Sequence, residues 1–371
     1  MLLENLSLLN FKNYEELKLS FSPEINCFVG HNGVGKTNIL DAIYYLSMTK
    51  SAFNSVDLQN IRHQEQFFSV LGSFRKGAEA YQVHCSLKAG QKKVFRKNKQ
   101  IYDKISEHIG EFPVVLIAPY DTDLIREGSE GRRRFFDSIL SQLDQDYLRC
   151  LLQYNHVLKQ RNSLLKQFAE RNYFDSDLLG RYDQQIISLG ETIWRKRNEF
   201  ITEFKPVFSN HFEFLSSNKE ETDLSYVSDL IAPDFAQVFK QNQKKDMALQ
   251  RTTLGIHKDD FEFTIQGNPL KKFGSQGQQK SFIIALKLAH FDMIKKAKGF
   301  KPLLLLDDIF DKLDELRIMR LMTMVAGNAF GQIFVTDARP ERAQDIFQTL
   351  KGDVRIFKIE AGKLVQEGQA E

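Results

Sequence analysis

The sequence predicts an α/β fold, in which a mixed sheet with flanking helices carries a phosphate-binding loop and a short antiparallel helical arm is inserted. Three observations predict it. Residues 30–37 read GHNGVGKT and match G-x-x-x-x-G-K-[ST] at every fixed position. Residues 303–306 are leucines followed by two aspartates, which is typical of a buried strand in a parallel sheet. Between residues 135 and 210, apolar positions recur with helical spacing.

Composition excludes several classes of protein. The chain has 371 residues, of which 42% are hydrophobic, and this is enough for one large core and several lobes. No apolar run reaches the length of a membrane-spanning helix and no secretory leader is evident, so we expect a soluble, cytoplasmic protein. The three cysteines lack C-x-x-C spacing, which favours reduced thiols. A net charge of +3 means that any nucleic-acid contact requires a local basic patch.

Strands dominate the first part of the chain. Residues 2–22 alternate apolar and polar positions and predict two strands that meet near Asn13. Residues 67–101 predict further strands, and seven basic residues lie between Lys88 and Lys104. A solvated β-hairpin and a contact with a nucleic-acid backbone explain this basic run equally well, so both interpretations stay open.

The phosphate-binding loop has the flanks that its chemistry requires. An apolar run over residues 25–29 precedes it and an amphipathic run follows it. The loop glycines let backbone N–H groups turn toward phosphates, and the helix N-terminus adds partial positive charge. Lys36 is expected to reach the β- and γ-phosphates of a nucleoside triphosphate, and Thr37 to offer its hydroxyl to Mg²⁺. The predicted nucleotide-binding residues are Gly30, His31, Asn32, Gly33, Val34, Gly35, Lys36, Thr37 and Asn38.

The leucine strand ends in a Walker B pair. Asp307 is expected to hold the Mg²⁺ shell, so Thr37 and Asp307 are the predicted metal ligands. Asp308 is expected to orient the attacking water or to accept its proton. Two carboxylates after four leucines, in a chain that also carries a phosphate loop, favour this interpretation over a strand that merely ends at the surface.

A third motif, Ser275-x-Gly277-Gln278, opens an apolar helix shortly before Walker B. It resembles the signature motif of ATP-binding-cassette (ABC) ATPases, in which a serine hydroxyl and helix-start amides form a second anion site. Asp314 in Asp-Lys-Leu-Asp resembles the D-loop. The resemblance implies a head-to-tail homodimer that encloses two ATP molecules, with the signature of one copy facing the γ-phosphate of the other. The predicted catalytic residues are Lys36, Asp307, Asp308, Ser275, Gly277, Gln278 and Asp314.

From residue 3 to residue 364 the chain resembles the RecF family of SMC-like ABC ATPases. The matching segments are Leu9-x-Phe11-Lys12-Asn13, residues 30–38 with Leu40-Asp41-Ala42-Ile43-Tyr44, Ala52-Phe53, Arg133-x-Phe135-x-Asp137, Leu158-Lys159-Gln160-Arg161-Asn162, Gly255-x-His257-Lys258-x-Asp260, and the signature and Walker B stretches. The resemblance implies a weak, DNA-stimulated ATPase that dimerises on ATP at gapped or duplex DNA. It implies action with RecO and RecR in loading RecA on single-stranded gaps, in replication restart and in the SOS response.

The motifs suggest three regions: an N-terminal ATPase lobe (1–131), the helical arm (132–250) and a C-terminal ATPase lobe (251–371). In the arm, a helix of about 30 residues, about 45 Å long, is expected. Residues 215–250 are predicted to be loop-rich, with a helix at 235–249. Candidate DNA contacts are Arg132, Arg133, Lys159, Arg161, His257 and Lys258. For these residues, ion pairs within the arm or a structural role in a turn remain the alternatives.

Two other functions share this type of nucleotide head. An ATPase of a phage-defence, overcoming-lysogenization-like system would be expected to carry a nuclease domain, and no acidic metal cluster beyond Walker B is evident in the sequence. A transporter motor would require a membrane partner. Where transporters carry a switch histidine, this chain has Thr336-Asp337, so no γ-phosphate sensor is assigned.

Overall fold

The computed structural model describes residues 1–216, 220–311, 315–327, 329–348 and 352–369. The strands in this part of the chain are β1 (Leu2–Phe11), β2 (Tyr14–Ser20), β3 (Ile25–Val29), β4 (Phe67–Lys76), β5 (Glu79–Lys88), β6 (Val94–Lys97), β7 (Gln100–Ile101), β8 (Val114–Ile117), β9 (Thr222–Val227), β10 (Asp260–Ile265), β11 (Asn268–Pro269), β12 (Leu303–Leu306), β13 (Ile333–Asp337), β14 (Val354–Glu360) and β15 (Lys363–Gln369). The helices are α1 (Lys36–Met48), α2 (Asp123–Arg126), α3 (Ser129–Leu143), α4 (Gln145–Arg171), α5 (Ser176–Leu215), α6 (Phe235–Gln241), α7 (Gln243–Leu249), α8 (Leu270–Phe273), α9 (Gln276–Lys298), α10 (Glu315–Ala326) and α11 (Pro340–Gln348).

The chain divides into two compact units. The first, called here the head unit, comprises Met1–Asp121 and Lys280–Glu371, and the second, the arm unit, comprises Thr122–Gln279. The division falls within α9, which begins at Gln276. The three regions proposed from the sequence remain a prediction.

The head unit contains two sheets. One has the strand order β15-β14-β3-β13-β12-β8, and all its pairings are parallel except β14 with β15. The other is antiparallel, with the order β2-β1-β4-β5-β6-β7. Apolar residues of both sheets and of α1 form one core, which includes Leu303 and Leu305 of β12, and all four leucines of that strand are fully buried. The predicted strands at 2–22, 67–101 and 303–306 are therefore confirmed.

Strand order places the two nucleotide motifs at one sheet edge. β13 pairs with β3 on one side and with β12 on the other, and both pairings are parallel. The carboxyl ends of parallel strands meet at the same edge, where ligands of open α/β sheets bind. The phosphate loop after β3 and the aspartates after β12 are thus separated only by the end of β13.

The arm unit is built on the helices α3, α4 and α5. The helix α5 has 40 residues, so it is about 60 Å long and exceeds the predicted 45 Å. It continues through Pro206, which lies inside the helix. The turn between α4 and α5 is formed by Asn172, in the left-handed conformation, and by Asp175, whose side chain accepts a hydrogen bond from the N–H of Leu178.

Residues 215–250 differ from the prediction. The strand β9 lies there and pairs with β10, whereas the sequence suggested a loop. The predicted helix at 235–249 is present as two short helices, α6 and α7. Among the described residues, no helix is both long and apolar enough to cross a membrane.

Candidate phosphate-binding site

The phosphate loop follows the fully buried strand β3 and leads directly into α1. Gly30 and Gly35 have φ values of 147° and 115°, where a side chain is strongly disfavoured. A Cβ atom on Gly30 would lie 2.3 Å from the carbonyl oxygen of Ile359, and one on Gly35 would lie 2.4 Å from Nδ2 of Asn13. Both positions therefore require glycine, because the backbone conformation and the available space each exclude a larger residue.

Asn13, in the turn between β1 and β2, and Tyr14, the first residue of β2, hold this loop in place by hydrogen bonds. Asn13 donates from Nδ2 to the carbonyl of Val34 at 2.9 Å and accepts from Asn38 Nδ2 at 2.7 Å. The buried hydroxyl of Tyr14 donates to the carbonyl of Gly35 at 3.0 Å. The sequence marked Asn13 only as a turn and as part of a family motif, and its brace on the loop was missed.

Lys36 lies over the loop rather than in solvent. It is 7% exposed, and its Nζ donates to the carbonyls of Gly30 at 2.6 Å and His31 at 3.0 Å. His31, Asn32 and Gly33 are exposed, so the outer side of the loop is open to a ligand. Phosphate oxygens could replace the two carbonyls as acceptors for the ammonium group.

Thr37 and Asp307 join the two nucleotide motifs. The hydroxyl of Thr37 donates to Oδ1 of Asp307 at 2.8 Å, and the hydroxyl of Thr336 donates to the same oxygen, also at 2.8 Å. Burial raises the pKa of Asp307, and the two hydroxyl hydrogen bonds oppose that shift. Within the described residues, the structure thus brings the predicted metal ligands into direct contact.

This pair fits a magnesium ion chemically. A threonine hydroxyl and a carboxylate are hard oxygen donors, and Mg²⁺ keeps several waters while it binds one or two protein ligands and substrate phosphates. No cluster of three or more His, Cys, Asp or Glu side chains suited to a metal occurs in the described ranges. A cluster of that size is not needed for magnesium held partly by phosphate.

Asp308 has an unusual backbone. Its φ is 46°, in the left-handed region, and its N–H donates to the hydroxyl of Thr336 at 2.8 Å. The residue as a whole is partly exposed at the same sheet edge. The position is compatible with the predicted contact to an attacking water, and the catalytic role stays a prediction.

The signature residues form a capping box at the start of α9, within the arm unit. Ser275 Oγ accepts from the N–H of Gln278 at 3.2 Å, while Gln278 Oε1 accepts from the N–H of Ser275 at 2.6 Å. Gln278 also donates from Nε2 to Oε1 of Glu220 at 2.8 Å. Gly277 is the second helical residue and is partly exposed. The predicted D-loop residue Asp314 lies outside the described residues.

Comparisons with known proteins decide the family. The model of the RecF/RecN/SMC N-terminal domain matches residues 2–362. The DNA replication and repair protein RecF of Flavobacterium johnsoniae is 50% identical over 359 residues, which is 97% of this chain and 100% of that protein. The protein of the same name from Cytophaga hutchinsonii is 49% identical, covering 99% of this chain and 97% of its own length. The chain belongs to the RecF family.

Solved structures agree with this assignment. A structure described as the recombination mediator protein RecF with ATP has a TM-score of 0.89 and 28% identity, covering 99% of this chain and 97% of that one. An SMC head domain from Pyrococcus furiosus, at 18% identity and a TM-score of 0.56, covering 99% of this chain and 96% of its own, shares the fold. The predicted ABC-type head with a helical arm is confirmed, and the chain is an ATPase of the RecF family of DNA replication and repair proteins.

Within this RecF-family chain, two of the candidate DNA contacts are engaged inside the arm unit. Arg132 forms a two-pronged ion pair with Asp260, at 2.8 and 2.9 Å. Arg133 donates to the carbonyl of Asp259 and to the hydroxyl of Ser129, both at 2.6 Å. Both guanidinium groups thus hold α3 against the start of β10, and they offer less to an external phosphate than the sequence suggested.

His257 also has a structural environment. Its Nδ1 lies 2.8 Å from the hydroxyl of Tyr154 and its Nε2 lies 3.1 Å from the carbonyl of Thr252. Burial lowers the pKa of His257 to about 4. The ring is therefore neutral at pH 7 and holds its turn, which was the alternative interpretation from the sequence.

Arg161 is a correction. Its side chain is completely buried, and it donates to Asp183 at 2.6 Å, Asp246 at 2.7 Å and Thr252 at 2.8 Å. A guanidinium group without solvent access cannot contact a DNA backbone, so the prediction for this residue was wrong. Lys159 and Lys258 are exposed, and their contact with DNA stays a prediction.

The basic run at 88–104 forms a β-hairpin and its flanks, as one of the two interpretations expected. Lys93 pairs with Asp57 at 2.7 Å and Lys97 with Glu111 at 2.6 Å. The exposed members of the run are Lys88, Lys92, Lys99 and Lys104. These four could still meet a nucleic-acid backbone.

Proposed function

We propose that this chain binds ATP with Mg²⁺ at the sheet edge between β3 and β12, and that ATP joins two copies head to tail. The observation that carries the proposal is the hydrogen bond from Thr37 to Asp307, because it assembles the loop and the Walker B carboxylate into one site. Related RecF structures are described with ATP, which supports the choice of nucleotide. The homodimer would enclose two nucleotides.

Each predicted residue would then have a defined task. Lys36 and the amides of residues 30–38 would bind the phosphates, while Thr37 and Asp307 would hold Mg²⁺. Bound magnesium supplies charge neutralisation at the β- and γ-phosphates. Asp308 would orient the water. From the second copy, Ser275, Gly277 and Gln278 would meet the γ-phosphate with hydroxyl and helix-start amide donors, and Asp314 would lie at the interface.

The biological role would be recombinational gap repair in the cytoplasm. Relatives are named DNA replication and repair proteins, and related structures are described as recombination mediators of the RecFOR pathway. The chain would dimerise with ATP at gapped or duplex DNA and help RecO and RecR to load RecA on single strands. ATP hydrolysis would be weak and would release the DNA.

Sedimentation of the full chain tests the ATP-dependent dimer. We expect monomers without nucleotide and dimers with MgATP, most strongly with gapped DNA present, because a ligand shared by two copies stabilises their association. Lys36→Ala should stay monomeric, whereas Lys18→Ala, at an exposed lysine of the same unit, should dimerise normally. A dimer that forms equally with and without ATP would contradict the proposal.

Charge reversal tests the DNA surface. The double variant Lys159→Glu/Lys258→Glu should weaken binding to gapped DNA and reduce its dependence on salt, since each lost phosphate contact lowers the salt slope by about one. Lys240→Glu/Lys244→Glu, at two other exposed lysines of the arm unit, is the matched control. Equal affinities and salt slopes for both variants would place the DNA elsewhere.

A further inference from the structure

Thr336 occupies the position between the two nucleotide motifs. It is the penultimate residue of β13, the strand that lies between β3 and β12. In register it lies opposite Phe28 of β3, two residues before the first glycine of the phosphate loop. Its side chain is 1% exposed, so its hydroxyl group has few possible partners other than those in the site.

The single hydroxyl group of Thr336 contacts both Walker B residues. It donates its proton to Oδ1 of Asp307 at 2.8 Å and accepts the N–H of Asp308 at 2.8 Å. The two bonds use different parts of the hydroxyl, one its hydrogen and the other a lone pair, so they are compatible. The geometry therefore links the orientation of the Asp307 carboxylate to the backbone conformation of Asp308.

The bond from the N–H of Asp308 to Thr336 matters because the backbone of Asp308 is in the left-handed conformation. A non-glycine residue at a φ of 46° is disfavoured and persists only when its surroundings hold it there. In this conformation the N–H of Asp308 donates to Thr336, so the hydroxyl group of Thr336 helps to hold the backbone from which the Asp308 side chain extends. Valine has the same shape as threonine but would remove both bonds.

We propose that Thr336 is a positioning residue for ATP hydrolysis, because it fixes Asp307 and Asp308 relative to each other and to the phosphate loop. It acts on both aspartates through a buried hydroxyl group. The proposal rests on the ATP site proposed above. It predicts that the hydroxyl group is needed for the normal Mg²⁺ dependence of hydrolysis and for its rate. It is not needed for nucleotide binding in the absence of Mg²⁺.

The test compares Thr336→Val and Thr336→Ser with the unaltered chain, and Thr323→Val, at an exposed threonine of α10, is the control. A fluorescent ATP analogue reports affinity with and without Mg²⁺, and single-turnover assays report hydrolysis. Without Mg²⁺, we expect Thr336→Val to bind within about twofold of the unaltered chain, since the phosphate loop is intact. With Mg²⁺, we expect hydrolysis to fall about tenfold or more and half-maximal rates to need more Mg²⁺.

Thr336→Ser keeps the hydroxyl and should recover hydrolysis to within about threefold. Two results would overturn the proposal: a Thr336→Val chain with unchanged hydrolysis and Mg²⁺ dependence, or a Thr336→Ser chain as impaired as the valine variant. If valine prevents folding, Thr336→Cys repeats the test with a weak donor. Failure of the proposed function itself is distinguishable, because then the unaltered chain would neither bind nor hydrolyse ATP.

Discussion

Substitution of Arg161 tests whether this residue stabilises the arm unit rather than contacting DNA. The guanidinium group lies between the carboxylates of Asp183 and Asp246, which are 1% and 0% exposed. Arg161→Met keeps much of the side-chain volume but removes the charge. Both carboxylates would then remain buried without their cation, although Gln243 still donates to Asp183 and Asn242 to Asp246.

The loss of unfolding free energy in Arg161→Met can be estimated from the burial of these three charged side chains. Removing one partner of a buried ion pair costs about 3–5 kcal/mol, whereas an exposed substitution usually changes stability by less than about 0.5 kcal/mol. At about 2–4 °C per kcal/mol, the unfolding temperature should fall by roughly 6–20 °C. Lys159→Met, two residues away and exposed, should leave it nearly unchanged.

Thermal and denaturant unfolding of the full chain measures this difference. The triple variant Arg161→Met/Asp183→Asn/Asp246→Asn should recover much of the lost stability, because it removes the uncompensated charges. DNA binding by Arg161→Met, measured well below its unfolding temperature, should be unchanged. A stable Arg161→Met chain that binds DNA poorly would refute the reasoning and return Arg161 to the DNA surface.

Three further predictions concern pH, the signature and the loop brace. Burial lowers the pKa values of His108 and His257 from 6.5 to about 4, so between these pH values the unfolded state binds protons that the folded state does not. The unfolding temperature should therefore fall as the pH drops from 6.5 to 4, and an unfolding temperature that does not change with pH would contradict this. Glu220→Ala removes a negative charge beside Gln278, so the ATP concentration that produces half-maximal dimer in sedimentation should fall; a higher requirement would mean that Glu220 instead positions the signature. Asn13→Ala should weaken ATP binding severalfold in equilibrium titration, since the phosphate loop loses a brace; unchanged affinity would show that Tyr14 is sufficient.

The nucleotide motifs were predictable because their chemistry is local. The phosphate loop requires glycines at set positions between a strand and a helix, and residues 30–37 satisfy this within eight letters. The run Leu303–Leu306 likewise identifies an interior strand by composition alone. What the sequence did not contain is the contact between Thr37 and Asp307, which depends on the strand order.

The predictions for Arg161, for residues 215–250 and for the length of α5 were wrong, because distant partners or polar sequences concealed the structure. The partners of Arg161 are separated from it by 22 and 85 positions, so no local pattern distinguishes a buried arginine from one that binds DNA. The strand β9, with the sequence TDLSYV, buries the side chain of Leu224 alone and pairs with β10, a distant segment of the chain. The helix α5 was underestimated because its register was followed only to Phe200, although Phe204, Phe208 and Phe212 continue the buried face.

The central claim is that two copies complete each ATP site, and a mixing experiment tests it most directly. Lys36→Ala removes the loop lysine and Ser275→Arg blocks the signature, so each variant alone should lack hydrolysis. In a mixed dimer, the intact loop of one copy would face the intact signature of the other, and one competent site should return, giving hydrolysis clearly above either variant. No recovery in the mixture, with mixed dimers shown by sedimentation, would mean that each site is complete within a single chain.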